Sequence, residues 1–217
     1  MRSYIKAMIE DIPEKMKGSL ATPAATFLLN TRDGVLKLGH QEKDWYHLLS
    51  AKLLYLSQFG RPDIRTASAF LTTCVQAPDK DNKKKLGKVT KYLQSTIDKM
   101  LTICANNATK VTWFVDASYS VHPDMKSHTG AMMMFGKGKE AVYTTSNRQK
   151  LMTRSSTEAE VVAVHDVLPQ VIWTKNFLTA QGFKMSPLVV YQDNKSAMLL
   201  KKNGQGSSGK QTRHINI

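Results

Sequence analysis

Three acidic residues in the second half of the chain have the type and setting that divalent-metal chemistry requires. Asp116 ends the run Trp-Phe-Val-Asp, Glu160 ends Ser-Ser-Thr-Glu-Ala-Glu, and Asp193 ends Val-Val-Tyr-Gln-Asp. Only seven acidic residues occur between Thr109 and Ile217, against fourteen Lys and Arg. A basic, solvated surface does not need carboxylates beside apolar runs, so these three acids are candidates for a specific role. Oxygen-only ligands of this kind suit Mg²⁺, or Mn²⁺, and do not suit zinc.

The chemistry that such a cluster supports is phosphodiester hydrolysis. Two divalent ions held about 4 Å apart can activate a water and stabilise the in-line displacement at phosphorus. This reaction needs no nucleophilic side chain, and Ser155 and Ser156 lack the Gly-x-Ser-x-Gly motif that would make one of them a nucleophile. The sequence also has no Gly-x-x-x-x-Gly-Lys-Ser/Thr loop. The residues therefore favour hydrolysis over ATP-dependent work.

The hydrophobic pattern of the second half predicts the elements that must position these acids. Apolar residues alternate at Val111, Trp113 and Val115, which predicts a strand with Asp116 at its last exposed position. Two more strands in an antiparallel meander should follow, and then a helix, a helix, a strand and a helix, an α/β arrangement. Asp193 would follow the fourth strand, at the end where open α/β sheets bind ligands. The later segments are strands Gly130–Phe135, Ala141–Thr145 and Leu188–Tyr191, helices on either side of Pro169, the second spanning Gln170–Gln181, and a last helix Asn194–Lys202.

Helix geometry distinguishes Glu160 from its neighbour Glu158. Ser155 can cap the first of these helices, and Glu158, three residues on, can return a bond to the cap's own amide, so Glu158 has a structural role. Residues two apart on a helix point roughly 200° apart, so the two glutamates cannot face one site. Ala163 and Val164 continue the Glu160 side, which predicts an inward-facing carboxylate that needs a partner or a cation. Glu160 is the better metal-ligand candidate.

The first half of the chain has helical periodicity instead of alternation. Turn-forming residues recur through residues 1–40, so this stretch is predicted to be a poorly structured lead-in. Apolar residues then recur at helical spacing through residues 41–98, which predicts a small all-helical region. Its amphipathic segments are Lys43–Phe59, Ile64–Cys74 and Asp81–Ile97.

The third of these helices carries Lys84, Lys88 and Lys91 on a face separate from its apolar residues. A lysine stripe is often only a solvated surface. It also suits contact with the phosphates of a duplex, which gives affinity without sequence information. Both interpretations are open, and the nucleic-acid-binding hypothesis includes these three lysines.

Composition narrows the class of partner. The 217 residues include 31 Lys and Arg against 17 Asp and Glu, a formal net charge of +14, and the excess is spread over both halves. Such a charge favours a polyanion such as nucleic acid. No apolar run approaches the roughly 20 residues that span a bilayer, so no membrane partner is expected. Cys74 and Cys104 form neither a disulfide framework nor a zinc motif.

Several motifs resemble a known family. The runs Arg-Ser-Ser-Thr-Glu-Ala-Glu (154–160), Tyr-Gln-Asp-Asn-Lys-Ser-Ala (191–197) and Thr-Arg-His-Ile-Asn-Ile (212–217) resemble the ribonuclease H domain of copia-type retrotransposon Pol polyproteins. Ala-Lys-Leu-Leu-Tyr-Leu-Ser (51–57) and Arg-Pro-Asp-Ile (61–64) resemble the end of the reverse transcriptase, its thumb or connection. The resemblance implies a ribonuclease H-like mixed sheet in residues 109–217, truncated at its C-terminus.

The resemblance also implies roles for particular residues. Asp116, Glu160 and Asp193 match the first three metal-binding carboxylates of the family. The fourth acid of the family pattern falls at Asn216, whose oxygen brings no charge, so a second ion should be held less tightly. His214 resembles the mobile histidine that assists product release in related enzymes, although an ordinary histidine near the chain end is the alternative.

The function that the resemblance implies is Mg²⁺-dependent hydrolysis of the RNA strand of an RNA–DNA hybrid. The implied partners are the hybrid and the upstream polymerase region of the same polyprotein, in a cytoplasmic virus-like particle with a nuclear phase. A non-catalytic duplex-binding fragment or degenerate copy is the alternative, and integrase-type strand transfer is disfavoured by the match of all three motifs. No Tyr-x-Asp-Asp motif is present, so the chain is not expected to polymerise.

Other polar and aromatic residues have competing interpretations. His122 and His128 lie in a predicted loop, where contact with a hybrid backbone is one interpretation and plain solvent exposure the better one. Asn194 either contacts nucleic acid or caps the last helix, and the cap is favoured. Trp113 and Trp173 are both predicted to be core residues.

Overall fold

The computed structural model describes residues 1–12, 18–24, 27–105, 107–136 and 140–203. The chain divides into two compact units, Met1–Leu101 and Thr102–Ile217. Within the described ranges, no helix has the length and apolar character needed to cross a membrane.

The first unit is all-helical. Its helices are α1 (Arg2–Glu10), α2 (His40–Phe59), a short 3₁₀ helix (Pro62–Ile64), α3 (Arg65–Thr73) and α4 (Lys80–Ser95). The side chain of Asp79 accepts a hydrogen bond from the amide of Asn82 at 2.9 Å, which fixes the start of α4. The helices enclose one core, whose largest buried members include Tyr46, Leu53, Phe70, Leu86 and Leu93.

The beginning of the chain differs from the predicted lead-in. Residues 2–10 form α1, and both Ile5 and Met8 are buried in the core of the first unit. Leu28, further along the predicted lead-in, is buried in the same core. Ile5, Met8 and Ile9 recur at helical spacing, and burial of this face stabilises α1. The turn-forming residues begin only after this helix.

The second unit is a mixed α/β layer structure. Its elements are β1 (Val111–Ser118), β2 (His128–Phe135), β3 (Tyr143–Arg148), α5 (Ser156–Ala180), β4 (Val189–Tyr191) and α6 (Lys195–Asn203). The sheet order is β3-β2-β1-β4, with β1–β2 and β2–β3 antiparallel and β1–β4 parallel. This order confirms the predicted α/β class and is consistent with a ribonuclease H-like sheet preceded by a helical region.

One face of this sheet packs against α5. Strand alternation turns Val111, Trp113 and Val115 to the same side, and all three are buried. They form a core with Ala131 and Met133 of β2 and with one face of α5, which contributes Ala163, Val167, Val171 and Leu178. The helix is therefore anchored to β1 and β2, the two central strands of the four-stranded sheet.

The two helices predicted on either side of Pro169 are one helix. α5 runs unbroken from Ser156 to Ala180 with the proline inside it. A proline removes one backbone donor and normally interrupts a helix, but Val167 and Val171 are buried on both sides of it. Packing of this continuous face against the sheet outweighs the lost hydrogen bond. The prediction for Trp173 was also wrong, because its side chain is 60% exposed and stacks on Phe177.

A buried histidine pair anchors the loop between β1 and β2. The rings of His122 and His128 share a hydrogen bond of 2.9 Å between Nε2 and Nδ1, and His128 Nε2 lies 2.7 Å from Ser146 Oγ on β3. Both histidines are buried, so the predicted solvent-exposed loop role was wrong. The loop turns back on itself through bonds from the amide of Met125 to the carbonyl of His122 and from the amide of His122 to the carbonyl of Lys126. Burial, aided by the neighbouring His122, lowers the pKa of His128 to about 4.

Acidification should therefore destabilise the second unit through His128. The unfolded chain takes up this proton near the ordinary histidine pKa of about 6.5, whereas the folded chain resists until about pH 4. The contribution of His128 to the free energy of unfolding is fully present above about pH 6.5. It is lost as the pH falls towards 4, by on the order of 3 kcal/mol. Urea denaturation of wild type and His128→Asn between pH 7.5 and 4.5 measures the difference. Burial also lowers the pKa of His122, which is bonded to His128, so the difference includes the effect of the substitution on His122.

The exposed His165 on α5 provides the matched control for this measurement. His165→Asn should keep the wild-type pH dependence of the free energy of unfolding. Parallel pH profiles for wild type and His128→Asn would show that His128 does not carry the effect.

Candidate metal centre

The parallel pairing of β1 and β4 brings two of the three acids together. Phe114 on β1 lies opposite Tyr191 on β4. Asp116 and Asp193 each lie two residues further along from this pair, and both are exposed. Asp116 lies within β1, so strand alternation turns it to the same side as Phe114, whereas Asp193 lies two residues beyond the end of β4. The strand register thus places the two carboxylates at the same end of the sheet.

The start of α5 supplies the third acid. Ser155 Oγ accepts a hydrogen bond from the amide of Glu158 at 3.2 Å, and the Glu158 carboxylate accepts one from the amide of Arg154 at 2.7 Å. Glu158 therefore stabilises the helix start, as predicted, through a bond from the amide of Arg154, the residue before the cap. Glu160, two residues on, is 6% exposed and faces the opposite way.

The three carboxylates converge. Ligand oxygens of Asp116, Glu160 and Asp193 all lie within 4.8 Å of one another. Burial raises the pKa of the Glu160 carboxyl above its usual range; a hydrogen bond from Gln192 opposes this rise, and the charges of Asp116 and Asp193 add to it. Three anions at this separation repel one another unless a cation or hydrogen-bond donors offset the repulsion. The cluster offers only oxygen ligands, which fit a hard divalent cation such as Mg²⁺ or Mn²⁺.

Gln192 is the residue of this site that the sequence analysis missed. Its Nε2 donates to Glu160 Oε2 at 2.8 Å, and its Oε1 accepts from the amide of Asn194 at 3.2 Å. The sequence signal is only its position between Tyr191 and Asp193, where strand alternation turns it the other way. A contact 32 residues apart along the chain has no signature in the local sequence.

Asn194 has the capping role that was favoured for it. Its Oδ1 accepts a hydrogen bond from the amide of Ala197 at 3.0 Å, at the start of α6. Contact between Asn194 and nucleic acid stays a prediction. His214 and Asn216 lie outside the described residues, so their placement near the three acids also stays a prediction.

The lysines of α4 belong to the first unit. Lys84 has a side chain that is 75% exposed, whereas Lys88 Nζ lies 4.6 Å from the centroid of the Phe27 ring and Lys91 is half-buried. Neighbouring lysines serve the fold, since Lys83 Nζ lies 2.8 Å from a Glu42 carboxylate oxygen and Lys85 donates to a backbone carbonyl. Binding of nucleic acid by the three predicted lysines stays a prediction.

Three curated proteins that match the chain are transposon polyproteins. The Retrovirus-related Pol polyprotein from transposon TNT 1-94 of Nicotiana tabacum is 28% identical over 219 residues, 99% of this chain and 16% of that protein. The polyprotein from transposon RE2 of Arabidopsis thaliana is 30% identical over 185 residues, 85% of this chain and 12% of its own length. The polyprotein from transposon RE1 of the same plant is 28% identical over 159 residues, which are 73% of this chain and 11% of that protein.

No family model and no solved structure matches the chain. The chain spans less than a fifth of the length of each of these three relatives. Their names agree with the family that the sequence motifs resemble, and the alignments run through both structural units. The chain is therefore homologous, over most of its length, to a segment of copia-type retrotransposon Pol polyproteins.

Proposed function

We propose that residues 109–217 hydrolyse the RNA strand of RNA–DNA hybrids with Mg²⁺, or Mn²⁺ in its place, as part of a retrotransposon polyprotein. The convergence of Asp116, Glu160 and Asp193 within 4.8 Å carries the proposal. Homology to Pol polyproteins supports the polyprotein context.

The three acids would hold the divalent ions, which supply water activation and stabilisation of the leaving oxygen when bound. Asp116 and Asp193 are exposed and would meet the phosphate from the sheet end, whereas Glu160 is buried and closes the site on the helix side. No neighbouring nucleophile is required, which agrees with the absence of a nucleophile motif around Ser155 and Ser156.

Recognition of the hybrid would rest on charge and shape. The formal net charge of +14 attracts a polyanionic duplex without regard to its sequence. Selection of a hybrid over DNA would come from contacts with 2′-hydroxyl groups and the wide minor groove of the duplex. The upstream polymerase region of the same polyprotein is the proposed partner protein.

Asp116→Asn should abolish most of the Mg²⁺-dependent cleavage. The substitution keeps the size of the side chain and removes a charge that would hold the cations. A loss of about 3 kcal/mol of transition-state stabilisation slows a reaction by more than 100-fold. Cleavage of a hybrid with a labelled RNA strand, at fixed Mg²⁺, measures the rate.

Asp124→Asn is the matched control for this experiment. Asp124 lies in the β1–β2 loop, where its carboxylate pairs with Arg148 at 3.2 Å and Lys126 at 3.7 Å, outside the acidic cluster. Such surface pairs contribute little, so the control should cleave at the wild-type rate. Unchanged cleavage by Asp116→Asn would contradict the proposed hydrolysis. Wild-type protein that binds the hybrid without cleaving it would support a duplex-binding fragment instead.

The lysines of α4 should contribute to hybrid affinity by neutralising phosphates. Replacing Lys84, Lys88 and Lys91 together by Gln should weaken binding. It should also reduce the slope of log affinity against log salt by about 0.9 for each duplex phosphate that the variant no longer neutralises. Fluorescence anisotropy with a hybrid at several salt concentrations measures both quantities.

Lys43→Gln serves as the control for the lysine substitutions, because Lys43 is an exposed lysine on α2. One substituted lysine removes one charge, so the comparison is made per charge removed. A triple variant with the wild-type salt slope would show that the α4 lysines are only a solvated surface.

Asn216 and His214 enter the proposal through the sequence resemblance. Asn216 would be a weak fourth ligand, and His214 would assist product release. Asn216→Asp should lower the Mg²⁺ concentration that gives half-maximal cleavage, because a carboxylate adds the charge that an amide oxygen lacks. A Mg²⁺ titration of the cleavage rate measures this change, and an unaltered midpoint would remove Asn216 from the ligand set.

A further inference from the structure

We propose that Gln192 is a positioning residue that holds the Glu160 carboxylate towards Asp116 and Asp193. The inference rests on the metal centre of the proposed function and deepens it. Gln192 would not itself bind a metal ion or touch the substrate.

The Gln192 amide is held at both of its ends. Nε2 donates to Glu160 Oε2 at 2.8 Å, while Oε1 accepts from the backbone amide of Asn194 at 3.2 Å. If the oxygen and nitrogen of this amide were exchanged, its oxygen would face the Glu160 carboxylate and its NH₂ group would face the Asn194 amide. Neither contact could form a hydrogen bond. The two partners therefore allow one orientation, in which the donor faces the glutamate.

The support for Gln192 is itself part of a helix start. Asn194, which donates to the glutamine oxygen, caps α6 through its own side chain at Ala197. The chain of hydrogen bonds thus runs from the start of α6 through Gln192 to the start of α5. It links the segment that carries Asp193 to the element that carries Glu160.

The hydrogen bond from Gln192 to Glu160 counteracts repulsion among the three carboxylates. Asp116 and Asp193 are within 4.8 Å of Glu160, and a glutamate has three rotatable side-chain bonds through which its carboxylate could turn away. Hydrogen bonds from the Gln192 side chain and from the backbone amide of Ala117 oppose that rotation, and Gln192 is the side chain that does so. An uncharged amide does so without the positive charge of Lys or Arg, which would compete with a divalent cation.

Strand alternation makes the arrangement compatible with an open site. Tyr191 and Asp193 are exposed, whereas Gln192 between them is half-buried and turned towards α5. Gln192 thus bonds to Glu160 while the carboxylates of Asp116 and Asp193 stay exposed.

Mn²⁺ binding by the full chain tests the inference directly. Isothermal titration, with electron paramagnetic resonance of free Mn²⁺, is applied to wild type, Gln192→Met and Gln170→Leu. Loss of a residue that orients a metal ligand weakens metal binding by about 10- to 100-fold, which is the expected result for Gln192→Met. Gln170 is an exposed glutamine on α5, so Gln170→Leu should bind as wild type does.

Cleavage kinetics separate positioning from general damage. In Gln192→Met the Mn²⁺ concentration for half-maximal cleavage should rise, while KM for the hybrid at saturating Mn²⁺ stays unchanged. Should this variant not fold by circular dichroism, Gln192→Asn answers the same question. Its amide is one methylene shorter and should also weaken Mn²⁺ binding.

The outcomes distinguish this inference from the proposed function. Equal Mn²⁺ affinity in wild type and the folded Gln192 variant overturns the role of Gln192 and leaves the hydrolysis untouched. Wild type that binds Mn²⁺ and does not cleave overturns the hydrolysis, and the role of Gln192 is then decided by affinity alone. Wild type that binds no Mn²⁺ overturns both.

Discussion

Mutual repulsion among Asp116, Glu160 and Asp193 is the constraint on which the second unit depends. Three carboxylates within 4.8 Å oppose folding unless the surrounding structure holds them there. The parallel pairing of β1 with β4 aligns two of them, and the packing of α5 on the sheet brings the third. The raised pKa of Glu160, caused first by burial, shows that the helix carries an acid into surroundings that disfavour its charge. Perturbed pKa values of this kind cluster at functional sites, which agrees with the function proposed for the three acids.

Hydrogen bonds between side chains and helix starts hold the elements around this cluster in place. Glu158 secures the start of α5, Asn194 secures the start of α6, and Gln192 joins the two. On the other side of β1, the buried pair of His122 and His128 ties the following loop to β3 through Ser146. Each of these groups is bonded to a neighbour, which is the condition under which buried polar atoms do not weaken a fold. The sheet end that carries the acids is therefore braced by hydrogen bonds on both sides.

Much of this architecture followed from residue patterns. Alternation at Val111, Trp113 and Val115 predicted β1, and the capping box around Ser155 and Glu158 predicted the start of α5. These predictions succeeded because period and capping are local properties. The predicted convergence of the three acids also held, but three other predictions that depended on distant contacts were wrong. Pro169 lies inside a helix that packing sustains, Trp173 is exposed, and the two histidines that were predicted to lie in an exposed loop are buried.

The sequence by itself determined the α/β class of the second unit, the helical class of the first, and the choice of Glu160 over Glu158 as the acid that faces Asp116 and Asp193. These follow from hydrophobic period and helix geometry, which act within a few residues. Only the tertiary structure decided that the three acids meet, that Gln192 braces one of them, and that His122 and His128 are enclosed. These results depend on strand register and on which faces pack, because groups far apart in the chain become neighbours only when the sheet assembles.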